Sequence, residues 1–70
     1  MSPKNYLQEI QQKAKKLPPT YNSKQDGLNS FVSTVMYMGT LYTGKGTSKK
    51  NAEANAAKNV LITALGMKLD

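Results

Sequence analysis

Seventy residues with no cysteine and no histidine exclude a disulfide scaffold, a structural zinc site and the usual nucleophile–base pairs, so neither an enzyme nor a cofactor is expected. A chain this short buries only about 60% of its unfolded surface, which predicts one small domain over 1–70 with its core at about 3–65. Ten basic residues, all lysine, against four acids give a net charge of +6; lysine suits phosphate oxygens rather than base edges, so the excess favours nucleic-acid backbones over sequence readout.

Ser2-Pro3 predicts a helix start, a capping hydroxyl followed by proline where its missing N–H costs nothing. Pro3, Leu7, Ile10, Ala14 and Leu17 recur at helical spacing as an apolar stripe, with Asn5, Gln8, Glu9, Gln12 and Lys16 opposite. Pro18-Pro19 ends the helix. Thr20–Ser23 predicts a short strand and Lys24–Ser30, containing Asp26-Gly27, a loop. Phe31–Met38 is β-branched, aromatic or methionine almost throughout and predicts the main strand. Gly39-Thr40 is expected to turn the chain into a third strand, Leu41–Thr43, with a loop at Gly44–Thr47. Ser48 is expected to cap a second helix running to about Leu65. Its buried side would be Ala52, Ala56, Val60 and Ala64, flanked by Ala57 and Leu61, with Gly66 as its stop. The expected fold is α+β in the order α-β-β-β-α, two helices packed on one face of a three-stranded antiparallel sheet.

No run of about 18 apolar residues predicts a membrane span, so no membrane partner is expected. The N-terminus lacks an apolar signal core, and a small domain without disulfides fits an intracellular location, cytoplasm or nucleus.

The most informative stretch is Gly44-Lys45-Gly46-Thr47-Ser48-Lys49-Lys50-Asn51-Ala52, with Ala56-Ala57 behind it. Two lysines in the first turn of a helix oppose the positive end of its dipole. That placement costs stability unless an anion docks there, and helix N-termini suit phosphate. The alanines give a thin face for close packing on a sheet.

This motif and the element order resemble the double-stranded RNA-binding domain family, as do Pro3-x-x-x-Leu7-Gln8-Glu9 and Pro19-x-Tyr21. Phe31, Val35, Gly39 and the Gly44/Gly46 pair stand where that family's second and third strands have them. The resemblance covers Pro3 to Leu65 and implies binding of an A-form duplex by shape, without sequence specificity, across two minor grooves and the major groove between. It implies that Asn5, Gln8, Glu9 and Gln12 meet 2′-hydroxyls in one minor groove and that Asn29 or Ser30 reaches the next. Lys49 and Lys50, supported by Lys45, would meet the phosphates between.

The chain departs from the family in two places. Glu53 stands where a third lysine is usual, and Gly27-Leu28-Asn29-Ser30 makes a shorter loop without the usual proline and histidine. Both predict weaker binding than the strongest members. A second reading comes from the main strand: with Phe31, Ser33, Val35 and Tyr37 toward the helices, Val32, Thr34, Met36 and Met38 face outward. That apolar sheet surface suits a protein partner or a homodimer.

Overall fold

In the computed structural model, residues 3–14 and 19–67 are described. The first helix, α1, spans Pro3–Lys13 and opens on its proline. It turns its apolar side inward: Leu7 is fully buried and Ile10 packs against the core, while Asn5, Gln8, Glu9 and Gln12 stay exposed. Ala14 follows the helix in an exposed turn, so it adds nothing to the apolar stripe. Leu17, Lys16 and Pro18 lie outside the described residues, as does Ser2. Gln11, buried on the inward flank, completes that side in place of Ala14.

Three antiparallel strands follow in the order β1-β2-β3: β1 Tyr21–Gln25, β2 Phe31–Tyr37 and β3 Thr40–Gly46. Each differs from the sequence expectation at an end. Lys24 and Gln25 continue β1, pairing with Val32 and Phe31, rather than entering the loop. The main strand stops at Tyr37 because Met38 (φ 52) and Gly39 (φ 81) form the hairpin turn. Positive φ at both central residues is the geometry that matches strand twist in a two-residue hairpin. The third strand starts at Thr40 and runs through Gly46, so Gly44 and Lys45 are strand residues rather than loop.

Strand register explains the packing. The row Tyr21–Val35–Tyr42 and the row Ser23–Ser33–Gly44 both face the helices. Val35 and Ser33 are buried, and the two tyrosines close over the core from either side. In the second row every side chain is small, and here the second helix comes in closely.

That helix, α2, spans Lys49–Asn59 and buries Ala52, Ala56 and Ala57. A Cβ on Gly44 would stand 2.1 Å from the Ala56 backbone nitrogen, and one on Gly46 would stand 2.8 Å from that of Ala52. Two bare strand positions and an alanine helix face thus form one device for close approach. The helix continues as a single π turn, Val60–Ala64. Val60 and Leu61 are fully buried with Leu7, but Ala64 is exposed, against the expectation. A π turn closes on the fifth residue rather than the fourth, so it rotates Ala64 off the buried face. Gly66 (φ 66) then ends the helix, and the Met67 N–H donates to the Leu61 carbonyl at 3.0 Å.

Candidate nucleic-acid interface

Ser48 holds an extended backbone (φ −146, ψ 164) at the N-cap of α2, and its hydroxyl accepts from the Asn51 N–H at 3.1 Å. That bond satisfies one of the four N–H groups that a helix start leaves open. Lys49 and Lys50 follow, both exposed, with no acid in the first turn. Two cations and the positive end of the helix dipole therefore meet at one place.

The sheet decides what surrounds this point. Gln25, Phe31 and Gly46 form one cross-strand row, so the β1–β2 loop and the start of α2 leave from the same end of the sheet. The Met38-Gly39 hairpin is at the other end. The loop, 26–30, is held closed by the Asp26 N–H on the Ser30 carbonyl (2.7 Å) and by the Gln25 amide on the Gly27 carbonyl (3.0 Å). Asn29 stands at its tip, exposed, with φ 58, and Ser30 is half-buried. Lys45, one row from the end of β3, is exposed and pairs in register with Val32.

The first turn of α1 comes beside α2 through Lys4, whose Nζ donates to Glu53 Oε1 at 2.5 Å. Asn5, Gln8, Glu9 and Gln12 lie on the exposed side of α1. The nine residues singled out in the sequence fall in three groups: the exposed side of α1, the β1–β2 loop, and the Lys45–Lys50 segment, with the loop and that segment at the same end of the sheet.

Glu53 does not hang free beside the lysines. Its second oxygen accepts from Ser23 Oγ at 3.2 Å, and its side chain is only 13% exposed. The hydrogen bond from Lys4 holds its carboxyl below the usual carboxylate range; the charges of Lys4 and Lys49 and the Ser23 bond act the same way, and partial burial opposes them. Lys4 Nζ also lies 5.0 Å from the centre of the Tyr21 ring. Burial, and then the Glu53 charge, push the Tyr21 phenol up to about 12.

Sequence reasoning missed Lys4 and a ladder of asparagines. Asn51, Asn55 and Asn59 stand one turn apart along α2. Their amides donate to Thr47 Oγ1 (3.2 Å), the Lys45 carbonyl (2.5 Å) and the Thr43 carbonyl (3.2 Å). The four-residue spacing was a usable signal for the ladder. The lysine gave none, since its partner is 49 residues away.

Compared with known proteins, residues 3–63 match the family model described as the double-stranded RNA binding motif. The chain belongs to that family. Among solved structures it is similar to the solution structure of the second dsRBD of HYL1, with 33% sequence identity and a TM-score of 0.68. The match covers 93% of this chain and 99% of that one.

Proposed function

We propose that this domain binds double-stranded RNA by its A-form shape, without sequence specificity. The observation that carries the reading is the capped N-terminus of α2. It presents Lys49 and Lys50 at the sheet end where the β1–β2 loop also emerges, with α1 alongside. Lysines there, with Lys45 behind them, take phosphates bordering the major groove. Asn5, Gln8, Glu9 and Gln12 hydrogen-bond 2′-hydroxyls in one minor groove, and Asn29 or Ser30 reaches the next. No arginine is available for bidentate reading of guanine, which agrees with recognition by shape.

The test is a titration with an RNA duplex of about 20 base pairs, longer than the roughly 16 such a domain spans. The DNA duplex of the same sequence and a single-stranded RNA serve as competitors. The RNA duplex should win, and raising salt should weaken it. Changing Lys49 and Lys50 together to Ala should weaken binding to all duplex sequences alike and reduce the salt slope by about 2. Unchanged affinity in that variant would remove the docking helix from the reading.

One observation favours a second partner. Met36, Met38 and Leu41 are 57%, 68% and 61% exposed at the hairpin end of the outer sheet face, away from the lysines. A protein or a second copy could occupy that face while RNA is bound.

A further inference from the structure

Lys4 stands on the flank of α1 between its buried side, Leu7 and Gln11, and its exposed amides. From that flank it reaches α2 and meets Glu53. Glu53 also takes the one proton of the Ser23 hydroxyl, and Ser23 Oγ in turn accepts from the Ser33 hydroxyl at 2.9 Å. The carboxylate thus ties α1, β1 and α2 together at one point, with both oxygens engaged. Its side chain is 13% exposed, against 42% for Lys4. Two freely moving surface charges would fix little, because solvent screens them and many geometries serve equally well. Here one partner is enclosed and oriented by a second hydrogen bond, so the pair has one arrangement.

We propose that the Lys4–Glu53 pair is a positioning clamp, setting where the amide face of α1 stands relative to the lysines of α2. The inference rests on the RNA reading above. Binding across two grooves requires both surfaces at once, and a preset spacing removes the ordering cost of bringing them into register. The two surfaces read different things: α2 meets phosphate, which RNA and DNA share, and α1 meets the 2′-hydroxyl, which only RNA carries. Loosening α1 therefore lowers discrimination between RNA and DNA while the phosphate contacts remain. A carboxylate that merely weakened the positive field would act on RNA and DNA alike.

The experiment compares the unaltered domain with Glu53→Gln, Lys4→Met and the exchanged pair Lys4→Glu/Glu53→Lys. Each is titrated with matched RNA and DNA duplexes, and amide hydrogen exchange along α1 and α2 is followed without nucleic acid. In both single variants the RNA-over-DNA preference should fall about threefold, the ratio expected of a partly screened pair, and exchange in α1 should quicken relative to α2. The exchanged pair should restore both. Equal gains on RNA and DNA in Glu53→Gln, with the preference intact, would overturn the clamp and leave Glu53 as a damping charge. Unchanged exchange in α1 would overturn it as well. If the unaltered domain shows no preference for RNA, the proposed function fails, and the exchange data alone decide whether Lys4 and Glu53 hold α1 in place.

Discussion

Glu53 accepts from a lysine and a serine at once, so the fold favours its charged form. Its folded pKa lies below the unfolded value of about 4.3, and the stability it contributes is complete above that value. That contribution drains away as pH falls through the folded pKa. Glu53→Gln should flatten this acid limb, which urea melts between about pH 5 and 2.5 would show against the unaltered domain. Tyr21 has the opposite sign. Its folded pKa of about 12 stands above the free phenol's value of about 10, so stability is lost as alkali rises between the two. Its hydroxyl is also buried with no hydrogen-bond partner among the described residues. Tyr21→Phe should remove that desolvated group and stabilise the domain by about 1 kcal/mol, with the alkaline loss reduced; a lower melting temperature would contradict this. None of it was legible in the sequence. A lysine near the start of one helix and a glutamate in another acquire meaning only when packing sets them side by side. The lysines at 49 and 50 were legible because what makes them unusual, the local helix dipole, is itself local.

At the level of elements, the helix–sheet contact turns on glycine. A Cβ at Gly44 would enter the α2 backbone at Ala56 and Asn55, which no rotamer change can relieve. Gly44→Ala should therefore cost about 3 kcal/mol or more, read as loss of the cooperative thermal transition. The alanine face of α2 and the glycine pair opposite were both visible as patterns, and the pairing of the two follows from the same need for close approach. Strand ends were less visible. Lys24, Gln25 and Lys45 are polar and carry no β signal of their own; cross-strand partners at Val32 and Phe31 recruit them. Met38 in a positive-φ turn position overrides its own preference because the hairpin closes at Gly39. The π turn at Val60–Ala64 left no trace in a pattern that reads equally well as continuous α-helix. Local periodicity cannot report where tertiary packing slips a helix by one residue.

For the molecule as a whole, a radius of gyration of 11.6 Å is close to the roughly 11 Å expected of a folded chain this long, so the small core suffices to close the fold. Its surface is divided: Lys49 and Lys50 stand at the end of the sheet where α2 begins, and Met36, Met38 and Leu41 at the hairpin end. If a second copy covers the latter, sedimentation should show concentration-dependent dimers that Met36→Lys abolishes, with RNA affinity little changed. A chain that stays monomeric at high concentration would rule that partner out. The order of elements and the outward turn of Met36 followed from sequence, since both depend on alternation and spacing within short segments. The asparagine ladder has a consequence for assembly. Alternate carbonyls of an edge strand point out of the ladder, and those of Thr43 and Lys45 are already occupied by Asn59 and Asn55. A filament built by strand addition needs two usable borders on every subunit. With two of its outward carbonyls already taken, the β3 border is the poorer acceptor of a neighbour's N–H groups. That makes the β1 border the better place for strand addition and works against growth through both borders.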